Sequence, residues 1–200
     1  MQIIGLTGGM AAGKSTVAAL FRRAFIPVFD ADATVRRLQA PGGRAVSDIA
    51  RLFPGTVRDG VLDRQALRHA LGQQSQGLKR LEALMHPLVR AERQAFLQHC
   101  RRTQCDLCVL DIPLLMEIGE DRNCDVVVVV EAPMATRLAR IMRRGRAGSM
   151  SLVQARQLLA RQMSDIERRR RADIVIRTGL SRGQAALQVR VLVQRLRKAA

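Results

Sequence analysis

The chain has 200 residues, 48% of them hydrophobic, and a formal net charge of +17. That length suits one domain with room for an insert and a substantial core, no apolar run approaches the roughly 20 residues of a membrane span, and the structured N-terminus reads as no signal peptide, so a cytoplasmic protein without a membrane partner is expected. The positive surplus raises a nucleic-acid partner, but there is no Trp or Tyr and only five Phe, which leaves few stacking platforms for single strands and argues against it.

The first strand, "QIIGL", runs into "TGGMAAGKST", and a helix follows at 14–23 with Val17, Leu20 and Phe21 on one side. Gly8, Gly13, Lys14 and Ser15 complete the P-loop pattern, which also takes in Gly9, Met10, Ala11, Ala12 and Thr16. Glycines let successive backbone N–H groups point into one concavity that holds phosphate oxygens. Lys14 reaches the β- and γ-phosphates of ATP as a point charge, and Ser15 offers its hydroxyl to Mg²⁺. The N-terminus of the helix adds its positive dipole end. Only three lysines occur in the chain, Lys14, Lys79 and Lys198, and one stands where a P-loop needs it.

A second strand, 26–30, ends in Asp30-Ala31-Asp32 and leads to a helix at 31–39. Ligands gather at the carboxyl ends of parallel strands, so one of these carboxylates is expected near the P-loop mouth, where it would orient an acceptor hydroxyl and take its proton. Asp30 also suits the N-cap of the helix. A long helical excursion at 42–104 opens with a helix at 42–52, and Pro87 is expected to break it at "HP". Strands at 107–112, 126–130 and 173–177 alternate with helices at 133–144, 151–163 and 181–198, which implies a parallel sheet covered on both faces. Asp111, at the end of its apolar strand, is a candidate to hold Mg²⁺ through water.

Residues 137–171 carry eleven arginines against Asp165 and Glu167, nine of the seventeen surplus charges. A compact polyphosphate suits such a cluster as well as a duplex does, and a solvated helix face accounts for part of it. Of the four cysteines, Cys105 and Cys108 have CxxC spacing but no second pair or histidine at zinc-site spacing. Cys108 lies in "LCVL" and reads as a small hydrophobe. The fold class expected is α/β: a P-loop NTPase fold with a five-stranded parallel sheet and helices on both faces. Its core is at about 1–41, 105–139 and 172–200, with insertions at about 42–104 and 140–171.

Taken together, "IGLTGGMAAGKSTVA", "VFDADATVRRL", "PGG", "DGVLDRQALR", "LEALMHPLV", "DIPLLMEIG", "DVVVVVEAP", "TRLARIMRR", "RQM" and "RADIVI" resemble the dephospho-coenzyme A kinase family over nearly the whole chain. The resemblance implies an ATP-dependent kinase that phosphorylates the ribose 3′-hydroxyl of dephospho-CoA, the last step of coenzyme A synthesis. It implies Asp32 as the base, and the mid-chain helices as the CoA-side domain with Arg64 and His86. It also implies a lid built from the arginine-rich helices, with Arg140 and Arg144 facing the transferring phosphate. Pro113 and Leu114, in "DIPLLMEIG", would help shape the acceptor pocket. Shikimate kinase shares the P-loop and an Asp-x-Asp strand end, but its glycine-flanked "FRxxE" and triple glycine are missing.

Three positions depart from the family pattern. Ala24-Phe25 stands where the helix-to-strand connection usually carries a glycine. Arg177-Thr178 stands where an asparagine usually precedes a glycine and serves the adenine side. Alanines replace the commoner glycine and serine inside the P-loop, a change free of strain if they hold negative φ. The sequence carries no signal for oligomeric state.

Overall fold

A computed structural model of the chain describes residues 1–144, 152–160 and 162–199. The chain divides into two compact units, Met1–Phe29 with Cys100–Ala200, and Asp30–His99. The second unit begins earlier than the 42–104 insertion read from sequence, because it takes in the helix that follows Asp30.

The chain opens with β1 (Gln2–Gly8), α1 (Lys14–Arg23) and β2 (Val28–Asp30). α1 ends in a Schellman motif: Ile26 N–H donates to the Phe21 carbonyl and Phe25 N–H to that of Arg22. Phe25 takes the left-handed position at φ 57, where the family's glycine is expected, and its side chain is 93% exposed.

The second unit holds α2 (Ala31–Leu38), α3 (Val46–Leu52), β3 (Val57–Arg58), β4 (Val61–Leu62), α4 (Arg64–Gln73) and most of α5 (Gly77–Arg102). Leu38, Ala45, Ile49, Phe53, Leu62, Leu67 and Met85 form its own core. α3 starts at Val46 rather than at 42, because Gly42, at φ 73, belongs to the turn before it. The hairpin β3–β4 turns at Asp59 (φ 49) and Gly60 (φ 74), the positive-φ pair that a two-residue turn requires.

The expected break at Pro87 does not occur. α5 runs unbroken over 26 residues with Pro87 inside it. The ring removes one helical N–H and crowds the preceding turn, but Pro87 is exposed, while Leu84, Met85, Leu88 and Val89 of the same turns pack on the unit's core and hold the axis. α5 also ends in a Schellman motif, with Cys105 N–H on the Cys100 carbonyl and Gln104 left-handed at φ 52.

The first unit continues with β5 (Leu107–Asp111), β6 (Val126–Glu131), α6 (Met134–Arg144), α7 (Leu152–Ala160), α8 (Asp165–Arg170), β7 (Ile174–Arg177) and α9 (Arg182–Ala199). Of the helix expected at 151–163, residues 152–160 form α7, Gln162 and Met163 are not helical, and residues 151 and 161 lie outside the described residues. α8 starts afresh because Ser164 caps it, its hydroxyl accepting from Glu167 N–H at 3.1 Å. The sheet order is β2-β5-β1-β6-β7, with β1 parallel to both β5 and β6. Ile4, Leu6, Val109, Val128, Val130 and Ile176 pack against Val17 and Phe21 of α1 and against Val189, Leu192, Val193 and Leu196 of α9. Burial of one such side chain is worth about 1.5–3 kcal/mol. Cys108 is fully buried in β5, and burial pushes its thiol up to about 12, as suits a core residue. The sheet order grows in opposite directions from β1, so the loop after β1 opens at the point where ligands bind in open α/β sheets.

Candidate active site

That loop is the P-loop. Gly13 sits at φ 101 as the N-cap of α1 and supplies no side chain to it. The first-turn N–H groups of a helix have no intrahelical acceptor, so this end presents donors and a positive dipole to an anion. Within the loop, Ala12 N–H closes a turn on the Gly9 carbonyl at 3.0 Å.

Lys14 Nζ donates to Asp111 Oδ1 at 2.5 Å. Asp111 is 4% exposed at the carboxyl end of β5, so the pair fixes the ammonium beside the loop. Ser15 and Thr16 follow at the start of α1, Ser15 exposed and Thr16 half-buried. Ser15 and Asp111 are hard oxygen donors, and Mg²⁺ takes few protein ligands because it keeps its waters, so the residues present fit that ion.

Ala11 overturns one expectation. It holds φ 59, not a negative value, a conformation that costs an alanine roughly 1–2 kcal/mol. The backbone needs that turn to bring its N–H groups inward, and a glycine would take it without the crowded Cβ.

Two arginines of α6, Arg137 and Arg140, hold this loop from outside. Arg137, 3% exposed, donates through Nε to the Met10 carbonyl at 2.8 Å and through Nη1 to both Asp165 oxygens at 3.0 Å. Gln162 Oε1 accepts from Met10 N–H at 2.9 Å. Arg140, expected to face the transferring phosphate, turns Nη1 to the Ala11 and Ala12 carbonyls, both at 3.1 Å, and Nη2 to the Thr178 carbonyl at 2.8 Å. Thr178 is 8% exposed, and its hydroxyl donates to the Ala12 carbonyl. The position where the family's asparagine is expected on the adenine side thus braces the P-loop here. A cavity of about 260 Å³ opens beside it, lined by Gly13, Thr16, Arg140, Arg143, Thr178 and Leu180 among others.

Other arginines of the segment are paired: Arg168 with Asp165 at 2.8 Å and Glu117 at 3.7 Å, Arg169 with Glu131 at 2.7 Å, and Arg171 with Asp121 at 2.6 Å. Arg144 ends α6, but its side chain, like residues 145–151 of the expected lid, lies outside the described residues.

The acceptor-side residues read from sequence are held by different elements. Asp30 is the N-cap of α2, Oδ1 accepting from Ala33 N–H at 2.8 Å, while Asp32 lies exposed in the first turn. Arg64 is the first residue of α4, and Asp63, not Arg64, caps that helix. His86 is exposed in the middle of α5. Pro113 and Leu114 follow β5, with Leu114 left-handed at φ 54 and 43% exposed. Sequence reasoning assigned no role to Arg137, Gln162, Asp165 or Thr178. The one available signal was that "TRLARIMRR" and "RQM" are family stretches.

A parallel sheet in this order, with a phosphate cradle after β1 and an acid closing β5 on its lysine, defines a P-loop phosphotransferase. The family profile described as dephospho-CoA kinase matches residues 2–182. A dephospho-CoA kinase of Gluconobacter oxydans is 68% identical over 200 residues, all of both chains. One of Cereibacter sphaeroides is 46% identical over 98% of this chain and 96% of its own. A solved structure from Thermus thermophilus shares 34% identity at a TM-score of 0.78, over 97% of this chain and 96% of that one. The chain belongs to the dephospho-CoA kinase family.

Proposed function

We propose that this chain transfers the γ-phosphoryl group of ATP to the ribose 3′-hydroxyl of dephospho-CoA, giving coenzyme A and ADP, the last step of coenzyme A synthesis. The observation that carries this reading is the P-loop with Lys14 fixed on buried Asp111, in a chain of this family.

Phosphoryl transfer asks little covalent chemistry of a protein; positioning and charge stabilisation are most of the task. The loop from Gly8 to Gly13 and the first turn of α1 hold the phosphates, and Lys14 exchanges Asp111 for the β- and γ-oxygens. Arg143, Thr178 and Leu180 shape the cavity for the nucleoside. Arg144, at the end of α6, is assigned to the charge of the transferring group, whereas Arg140, read from sequence for the same role, turns to the Ala11, Ala12 and Thr178 carbonyls and braces the loop. Ser15, and Asp111 through water, would hold the Mg²⁺ that accompanies ATP, which would supply charge neutralisation at the β- and γ-phosphates.

On the acceptor side Asp32 orients the 3′-hydroxyl and takes its proton. Arg64 binds acceptor phosphate, for which a guanidinium is the fitting fork. His86, Pro113 and Leu114 complete the acceptor contacts, and the segment at about 140–171 closes over the phosphates to exclude water. The compartment is read as the cytoplasm, in keeping with four cysteines that are all free thiols.

The test is ADP release from ATP and Mg²⁺, measured with no acceptor and with dephospho-CoA, shikimate, AMP or DNA. Release that rises only with dephospho-CoA, with phosphate recovered on its ribose, bears the reading out. Stimulation by another acceptor, or by DNA alone, overturns it.

A further inference from the structure

An anion cradle works only if its peptides are turned the right way. A trans peptide is planar, so its carbonyl and the following N–H point in opposite directions. Turning carbonyls outward therefore turns N–H groups inward. In this P-loop three consecutive carbonyls have outside donors: Met10 takes Arg137 Nε, and Ala11 and Ala12 take Arg140 Nη1. The paired N–H groups are those of Ala11, Ala12 and Gly13. That of Ala12 closes the inner turn on Gly9, and those of Ala11 and Gly13 flank it.

Met10 is held from both ends, because its own N–H goes to Gln162 Oε1 at 2.9 Å. The residue that follows, Ala11, has the φ of 59 that an alanine resists. The clamp thus sits where the loop most needs an external hold. It is also tightly built. A Cβ on Gly9 would lie 2.4 Å from Arg137 Nη2, so the guanidinium is laid directly on the loop backbone. Asp165 neutralises it in turn, and Arg168, itself 3% exposed, reaches Asp165 at 2.8 Å and the Met163 carbonyl at 2.6 Å. The remaining nitrogen of Arg137, Nη2, lies 3.5 Å from Gln162 Oε1. All three guanidinium nitrogens of Arg137 are thus directed at protein acceptors.

We infer that Arg137 is a positioning residue of the phosphate cradle. With Gln162 and Asp165 it holds the Met10–Ala11 peptide in its anion-binding orientation and acts on the polyphosphate only through that peptide. The inference rests on the proposed kinase reading for its consequence, ATP binding, but the clamp itself takes any polyphosphate as its probe.

The test uses the full chain with two variants that attack the same residue from opposite ends. Arg137→Lys keeps the charge beside Asp165 and loses the fork that also reaches Met10. Gln162→Leu removes the acceptor of Met10 N–H and leaves the Arg137–Asp165 pair in place, so it decides the matter if the first variant fails to fold. Inorganic tripolyphosphate binding is measured by calorimetry, beside thermal melting. A misdirected cradle is expected to weaken tripolyphosphate about tenfold or more, within the range that a small misplacement costs, with melting held near wild type. In turnover, KM for ATP rises by a similar factor while KM for dephospho-CoA stays within about threefold. Tripolyphosphate binding at wild-type strength in a folded Gln162→Leu variant overturns the inference, as does an equal loss of ATP and dephospho-CoA affinity. Because the calorimetric arm needs no acceptor, a wrong kinase reading leaves its outcome unchanged.

Discussion

The phosphate side and the acceptor side of this protein are prepared in different ways. In the P-loop, recognition is by backbone. The carbonyls of Met10, Ala11 and Ala12 are taken by Arg137 and Arg140, Thr178 adds its hydroxyl, and Lys14 rests on Asp111. In the helical unit, the acceptor contacts proposed above are all side chains. Asp32, Arg64 and His86 are all exposed, on the first turn of α2, the start of α4 and the middle of α5. Backbone donors have no rotamers to adjust, so a cradle built from them must be shaped before the anion arrives. Long side chains on stable helices can be ordered by the ligand itself, at an entropic cost of about 0.5–1.5 kcal/mol each.

The largest expected effect is on the acceptor side and concerns the two neighbouring aspartates. Asp30 is committed to the cap of α2, whereas Asp32 is exposed one step into the helix. Asp32→Asn keeps the size and hydrogen bonding of the side chain and removes its basicity. Its kcat is expected to fall by about 10²–10⁴-fold, the worth of a general base, with ATP affinity within a few-fold of wild type. Asp30→Asn should keep turnover and lose stability of about 1 kcal/mol or less. Steady-state kinetics and urea unfolding on both variants check the pair. An inactive Asp30→Asn beside an active Asp32→Asn would reverse the assignment.

Next comes the phosphate side. Lys14→Ala removes the lysine cation of an otherwise backbone-built cradle, and kcat is expected to drop about 10²–10³-fold, as for loss of one strong electrostatic contact in a transition state. Folding should survive with lower stability, since Lys14 is partly exposed but its loss takes a charged partner from buried Asp111. Near-normal kcat in a folded variant would mean that the loop binds without acting in transfer, and the contrast between the two sides would fail.

The sequence was legible where one short stretch is enough. The five strands, the P-loop and the Asp30 cap all rest on contacts between close neighbours or on patterns of burial. The hold on the P-loop was not legible, because Arg137 and Met10 lie 127 residues apart, Arg140 and Ala12 128, and Thr178 and Ala12 166. Spacing along the chain says nothing of such pairs, and an arginine in an arginine-rich helix reads as a solvated charge until its partner is known. Pro87 misled for the opposite reason. Its local rule is sound, but α5 is held by Met85 and its neighbours in the core. The separate helix α8 and the hairpin went unread, although Ser164-x-x-Glu167 is a cap pattern and Asp59-Gly60 a two-residue turn. Ala11 shows a local rule giving way to function, a strained alanine where phosphate is to be held.

That strain has a counterpart outside the site. Phe25 is left-handed too, at φ 57, but it ends α1 in solvent. Phe25→Gly is expected to stabilise the protein by about 0.5–1 kcal/mol, the relief of a left-handed side chain less the added freedom of glycine in the unfolded chain. Kinetic constants should not move. A shift in the urea midpoint with unchanged kcat and KM supports this, and lost activity would tie the end of α1 to the cradle.

The smallest effect belongs to the helical unit and to acid pH. Asp63 caps α4, the helix that starts with Arg64, and accepts from Ala66 N–H at 3.0 Å and Gln65 N–H at 2.9 Å. Those two donors, that of Ala66 first, favour the charged carboxylate and hold its pKa below the ordinary 3.8. The unfolded chain therefore binds the proton more readily than the folded one. The contribution is fully present above about pH 3.8, and it is lost as pH falls through the lower folded value. Asp63→Asn keeps an acceptor for the cap but cannot titrate. Its stability at neutral pH should be slightly below wild type, because a neutral amide gains less from the helix dipole. The two proteins should then converge as the solution is acidified below pH 3.8. Urea unfolding of both across that range measures the convergence. Curves that stay parallel would mean that Asp63 is no better solvated by its cap than by water, and Arg64 would then start a helix held by packing of Leu67, Ala70 and Leu71.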